Sequence, residues 1–393
     1  METRNVYVDH AATTYVDKRV IQSMIPYFDK VYGNPHSLHS FGRVAQKAVN
    51  DARESVASIL HCTPKEIIFT SGGTESINLA IKGVALSKGS GHIITSKIEH
   101  PAVLETCKYL EKQGFTVTYI DVDKYGIVNP NDIKKAISKE TILISIMYAN
   151  NEIGTIQPVW EIGTIARKYN ILFHTDACQA TGALSLDVSH LYVDLMTLNG
   201  SKMYGPKGVG ILYRKKGVQL QPLIHGGGQE FNLRSGTENV PGIVGFAKAL
   251  EYAQKEKQQE NKRLVALRDN FIKKVILTIP KSVLNGHPTE RLPNNVNISF
   301  LDVEGESVLL YLNEKGVAVS TGSACSSQSL EISHVLDAIG LTHDAAHGSI
   351  RFTLGKETTK NDLEYVLSVL TPIITSLRRI SPVKVKKSEI RKT

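Results

Sequence analysis

Lysine, carboxylate, cysteine and arginine side chains stand in this sequence where their neighbours, either too small to pack them or too apolar to suit a charge, call for a chemical reason. In TLNGSKMYGPKGVG, Thr197 to Gly210, Lys202 and Lys207 stand among glycines and one proline. A run so short of bulky residues cannot be core, and so many glycines are costly to order. It is therefore either a surface turn or a backbone that must come close to something. FTSGGTESINLAIKG, Phe69 to Gly83, runs from a strand pattern through Gly72 and Gly73 into a helix whose first turn holds Thr74. Converging N–H groups at the positive end of a helix dipole make an anion site, although a plain helix cap fits the same residues. In FHTDACQATG, Phe173 to Gly182, Asp176 ends an apolar run. A carboxylate there is costly unless it meets a cation or a strong donor, and both a helix N-cap and a protonated ring nitrogen answer that need.

The second half carries a different pair. In STGSACSSQSLE, Cys325 is surrounded by glycine, alanine and hydroxyl residues, a poor setting for a packed cysteine and a good one for an accessible nucleophile. Arg351 lies in GSIRFTL, where an arginine in an apolar strand requires a partner, either a structural acid or a ligand carboxylate. Cys62 and Cys107 follow apolar segments and read as structural, and Cys178 beside Asp176 reads as a small packing residue. The cysteines show no zinc spacing, so no metal site is expected.

These residues need a frame to converge on. The β-branched runs EIIFT (66–70), HIITS (92–96), TVTYIDV (116–122), TILISIM (141–147), ILFHTDA (171–177), DLMTLN (194–199) and VGILYR (209–214) alternate with amphipathic stretches. That alternation predicts an α/β fold with a mainly parallel seven-stranded sheet sandwiched by helices. After Gly242 a helical tract of more than thirty residues leads to shorter strands, which points to a second, smaller α+β domain. The predicted division is a large domain over 15–255, a small domain from 1–14 and 256–377, and a basic tail over 378–393. An anion cradle, a buried acid and a lysine at strand ends of one sheet are the protein parts that pyridoxal phosphate requires.

The chain resembles the cysteine desulfurases, NifS/IscS-like members of the class V, fold type I pyridoxal-phosphate family. The resemblance covers roughly residues 5 to 375 and rests on ordered motifs that include YVDHAATT (7–14), ITSKIEH (94–100), ANNEIGTIQ (149–157), HTDACQ (174–179), SKMYGPKGVG (201–210), LRSGTEN (233–239) and STGSACSSQSLE (320–331). It implies that Lys202 forms the Schiff base and, unlike Lys207, does the chemistry. It further implies that Asp176 pairs with the pyridine nitrogen, Gln179 with the ring hydroxyl, and His100 stacks on the ring. Gly73, Thr74, Asn199 and Ser201 fall at the phosphate, Asn151 at both cofactor and substrate, and Arg234 and Arg351 at the substrate. Thr237 would reach the cofactor of a partner subunit, which implies a homodimer. The implied reaction converts L-cysteine to L-alanine with sulfur held as a persulfide on Cys325. An IscU-like scaffold for iron–sulfur assembly or a tRNA-thiolation carrier would then accept the sulfur.

Departures from the family fall at the phosphate site and the C-terminus. Relatives usually carry histidine where Ser201 stands and serine where Asn199 stands, so up to about 1–2 kcal/mol of cofactor affinity is forfeit. A selenocysteine lyase, another class V enzyme, or a binding protein with a decayed site are the rival readings, and retention of Lys202, Asp176 and Cys325 argues against decay.

The formal charge of +8 invites a nucleic-acid reading, but the stretch from Arg378 to Lys392 accounts for most of it, with Glu389 its one acid. The body is near neutral, so contact with nucleic acid is expected only through that tail, which reads as a solvated, mobile end. The sequence has no apolar run long enough to span a membrane and lacks the plan of a signal peptide, so a cytoplasmic location is expected.

Overall fold

A computed structural model describes residues 4–321, 332–382, 384–386 and 389–392. The N-terminal strand β1 (Val6–Tyr7) is followed by β2 (Ile67–Thr70), β3 (His92–Ser96), β4 (Thr116–Ile120), β5 (Thr141–Ser145), β6 (Leu172–Asp176), β7 (Leu195–Asn199) and β8 (Gly210–Arg214). Strands β2 to β8 form one seven-stranded sheet in the order β2-β8-β7-β6-β5-β3-β4. It is parallel from β4 through β7, and β8 runs antiparallel to both β2 and β7. The apolar runs fit this arrangement because β3 and most of β5, β6 and β7 are buried, as strands covered on both faces must be.

One polar line crosses that interior. The ring of His174 bonds Ser145 Oγ on β5 at 2.8 Å through Nδ1 and Thr197 Oγ1 on β7 at 3.0 Å through Nε2. Burial pushes its pKa down to about 4, so the ring is neutral and ties β5, β6 and β7 together by hydrogen bonds alone.

The remaining strands are β9 (Ser282–Leu284), β10 (Asn295–Phe300), β11 (Val317–Ala318) and β12 (Ser349–Thr353). They form the antiparallel sheet β12-β10-β9, while β11 pairs in parallel with β1. The helix Val240–Thr278 links the two bodies. Phe246 and Leu250 near its start pack in the large-sheet core, whereas Leu264, Phe271 and Val275 pack in the core beneath β10 and β12. Phe271 meets Phe352 edge-on at 5.3 Å, and removing its ring would cost about 3–5 kcal/mol. No helix among the described residues is long and apolar enough to cross a membrane.

The basic tail corrects the expectation of a solvated end. The helix Lys360–Ile380 runs into it, and Val385 is buried with Leu336 and Leu341 while its amide donates to Asp302 Oδ1 at 2.7 Å. Thr342 N donates to Ile390 O at 3.1 Å, and Lys392 N to Gly340 O at 2.7 Å. Val385 and Ile390 supply apolar anchors that a count of charges overlooks, and the paired backbone satisfies groups that docking would otherwise strand.

Candidate active site

Adjacent parallel strands deliver the central residues. Asp176 is the last residue of β6 and Asn199 the last of β7, so both side chains emerge at the carboxyl edge of the sheet, where α/β folds bind ligands. The chain then turns through Gly200–Lys202. The Lys202 Nζ donates to the carbonyls of Ala11 at 2.8 Å and Ala12 at 2.6 Å. Gln179 Nε2 donates to the same Ala11 carbonyl at 3.0 Å, so the HAATT segment sets the height of both side chains.

Opposite lies the helix Gly73–Lys88. Gly72 precedes it at φ 149°, a conformation that L side chains rarely adopt, and no side chain among the described residues caps the first turn. A Cβ on Gly73 would stand 3.0 Å from Cys178 Sγ, so glycine keeps the approach to β6 and β7 open. β8 must also pass close by, since a Cβ on Gly210 would lie 2.8 Å from Gly72 Cα.

These groups share a cavity of about 570 Å³ lined by Gly73, Thr74, His100, Asn151, Asp176, Gln179, Asn199, Lys202 and Arg351. Cys178 also lines it, and burial pushes its thiol pKa well up, which keeps it protonated and inert as expected of a packing residue. His100 caps the helix Pro101–Glu111, its Nδ1 accepting the Ala102 amide at 3.0 Å. Burial lowers its pKa, opposed by Asp176 and aided by Lys202. The neutral ring therefore carries its proton on Nε2.

Arg351 is 3% exposed in β12 and lines the same cavity. Its Nη2 pairs with Asp9 Oδ1 at 2.8 Å and its Nη1 donates to the Asn151 carbonyl at 3.1 Å, while Nε is buried with no partner among the described residues. The structural acid is thus Asp9, which holds one side of the fork on a residue that also lines the cavity.

Other expected residues are placed elsewhere. Ser201 does not line the cavity, and its carbonyl accepts from Thr14 N at 2.9 Å and Thr14 Oγ1 at 3.1 Å. Arg234 pairs with Glu75 at 3.0 Å and, like exposed Thr237, lies outside the lining. Lys207 sits exposed in its turn, 3.5 Å from the Thr14 carbonyl. Cys325 lies outside the described residues.

Sequence reasoning missed Asp9, Glu99 and Glu152. Glu99 is fully buried beside His100, its Oε1 accepting from Ser96 Oγ at 2.6 Å and Met147 N at 3.0 Å, and burial pushes its pKa up to about 8. Glu152 lines the cavity, and burial raises its pKa to about 7 against the opposing Ser333 hydrogen bond and the Arg351 charge. All three stand inside the motifs YVDHAATT, ITSKIEH and ANNEIGTIQ, next to residues that drew attention first.

With this geometry in place, comparison with known proteins is decisive. The profile of the Aminotransferase class-V family matches residues 6–366. The chain belongs to that family. Within it, "Cysteine desulfurase IscS" of Dictyoglomus turgidum is 57% identical over 383 residues, 97% of each chain. "Cysteine desulfurase IscS" of Methanosarcina thermophila is 54% identical, covering 98% of this chain and 96% of its own. Among solved structures a "NIFS-LIKE PROTEIN" superposes with a TM-score of 0.90 at 42% identity, covering 95% of this chain and 100% of the other. Another, titled "SspA in complex with cysteine", gives 0.79 at 38% identity, covering 89% and 99%. The class V frame accounts for the large, mostly parallel sheet with its cavity at the carboxyl edge.

Proposed function

We propose that this class V family member is a pyridoxal-phosphate-dependent cysteine desulfurase, converting L-cysteine to L-alanine with the sulfur retained as a persulfide on Cys325. The observation that carries the reading is the single cavity that gathers Lys202, Asp176 and the uncapped start of the helix Gly73–Lys88 at adjacent strand ends. The identities of 57% and 54% to cysteine desulfurases, and the solved relative that holds cysteine, supply the substrate.

The residues fit the cofactor. Asp176 offers a carboxylate to a protonated ring nitrogen, Lys202 an amine to the aldehyde, His100 a neutral ring for stacking, and Gly73, Thr74 and Asn199 donors for the phosphate. Bound there, pyridoxal phosphate supplies an electron sink for the charge left when an amino-acid Cα–H is broken. Arg351 holds the substrate carboxylate through its unused N–H groups, with Asn151 alongside. Lys202, whose amine would hold the cofactor, is the group that would take the Cα proton of a bound substrate. His100, with its proton on Nε2, is poised to move protons at the substrate sulfur and Cβ. Cys325 as thiolate attacks that sulfur: an S–S bond forms, the substrate Cβ–S bond breaks, and its electron pair remains on the carbon skeleton, which takes up protons and leaves as alanine.

The reading includes a homodimer, with Thr237 reaching the partner's phosphate. It is supported by the exposed apolar residues Ile25, Phe28, Tyr32, Leu38, Phe41 and Val44, a run too apolar to face water without cover. Arg234 belongs with that shared edge. A cytoplasmic location is supported by the described cysteines, all free. Delivery of the sulfur to an iron–sulfur scaffold or a tRNA-thiolation carrier completes the proposal. The test is alanine release from L-cysteine by the purified, cofactor-loaded protein. Wild type should turn over and take on the visible absorbance of lysine-bound cofactor, and Lys202→Ala should show neither. A wild-type protein that takes up no cofactor overturns the reading.

A further inference from the structure

The chain on either side of residues 322–331 is fastened to the cavity wall. On one side, Ser320 and Arg351 exchange backbone hydrogen bonds of 3.3 and 2.7 Å. On the other, Ser333 and His334 cross to the large domain at two points. Ser333 Oγ caps the helix His334–Ala338 by accepting the amides of Val335 at 3.1 Å and Leu336 at 3.4 Å. Its one hydroxyl proton is then left to donate, and it goes to Glu152 Oε2 at 2.5 Å. The His334 ring meets the carbonyl of Glu99 at 2.9 Å through Nε2, which must therefore carry the proton.

The loops that receive these bonds are the ones that matter. Glu99 immediately precedes His100, and Glu152 immediately follows Asn151. Ser333, His334 and Glu152 all line the cavity with them. Glu152 is 6% exposed, and a carboxyl so buried is costly to keep for the sake of capping a five-residue helix. A hydroxyl or a backbone amide could cap that helix without it.

We propose that Ser333 and His334, seated on Glu152 and Glu99, are positioning residues for the sulfur-transfer step: they register the chain eight positions after Cys325 on the loops that carry His100 and Asn151. The inference rests on the desulfurase reading above. The hydroxyl is fixed as a donor, so the essential property of residue 152 is an acceptor oxygen and not a charge. Glutamine keeps that oxygen and leucine does not. The raised pKa of Glu152 agrees, since a neutral acid still accepts through its carbonyl oxygen.

The experiment uses the loaded dimer in rapid mixing with L-cysteine. It reads the cofactor's absorbance change on cysteine binding separately from first-turnover alanine formation. Ser333→Ala and Glu152→Leu should each slow alanine formation about tenfold, the scale of one buried hydrogen bond. The cysteine concentration giving half the absorbance change should stay within about twofold, and the double variant should be no slower than either single one. Glu152→Gln and Ser333→Thr should run at wild-type speed. A Glu152→Gln enzyme as slow as Glu152→Leu, a Ser333→Ala enzyme at full speed, or equal damage to binding and turnover overturns the proposal. Failure of wild type to make alanine would instead overturn the desulfurase reading itself.

Discussion

Asn199 lines the cavity at the end of β7, beside the Gly73 helix start, while Ser201, two residues on, lies outside the lining. Among the described residues only the backbone of Ser201 is engaged, its amide donating to Asn199 Oδ1 at 3.4 Å and its carbonyl accepting from Thr14, so the two departures from the family's usual sequence carry unequal weight. Asn199→Ala should weaken cofactor retention by roughly tenfold, about one hydrogen bond to a charged group, whereas Ser201→Ala should leave it within about twofold. Equilibrium titration with pyridoxal phosphate checks both, and an equal loss in the two would return Ser201 to the phosphate. Arg351 is the other residue on which the account depends. Arg351→Ala should lower kcat/KM for cysteine about a hundredfold or more by removing a fork that is already oriented by Asp9, with the loaded cofactor's absorbance unchanged. Unchanged kcat/KM would make the arginine purely structural. Asp9 itself was not legible, because a lone acid in YVDHAATT gives no hint that it will meet a strand more than three hundred residues away.

The elements were legible in proportion to their periodicity. The seven runs between Glu66 and Arg214 became the large sheet because β-branched stretches between turn signals leave little choice of element. The short strands and the tail were harder, since β9 has three residues, β11 has two, and the tail's apolar anchors among the described residues are only Val385 and Ile390, set amid many charges. Buried acids such as Glu99 were invisible for the same reason, their burial being decided by tertiary packing. That burial has a thermodynamic signature. With its folded pKa raised to about 8 from 4.5, the Glu99 carboxyl contributes stability that is fully present below pH 4.5 and is lost as pH rises through about 8. Glu99→Gln keeps the acceptor oxygen and removes the titration. Wild type should therefore lose stability relative to this variant between pH 5 and pH 8, on the order of a few kcal/mol in total, and so melt progressively lower. Parallel melting temperatures across that range would show Glu99 ionised throughout.

At the scale of the whole molecule, the cavity draws on two sheets: β6 and β7 supply Asp176 and Asn199, and β12 supplies Arg351. The proposed homodimer would cover the exposed apolar residues between Ile25 and Val44 and would bring Thr237 to the partner's cofactor. Phe28→Asp combined with Phe41→Asp should shift the protein to monomers by sedimentation and weaken cofactor retention with it, and a wild type that sediments as a monomer would sink the shared site. The central claim concerns where the sulfur goes. It is tested most directly by mass spectrometry of the peptide containing Cys325 after a single turnover with isotope-labelled L-cysteine. The account predicts one extra labelled sulfur on Cys325, absent in Cys325→Ser together with alanine formation. Undiminished alanine with an unmodified Cys325 would contradict it.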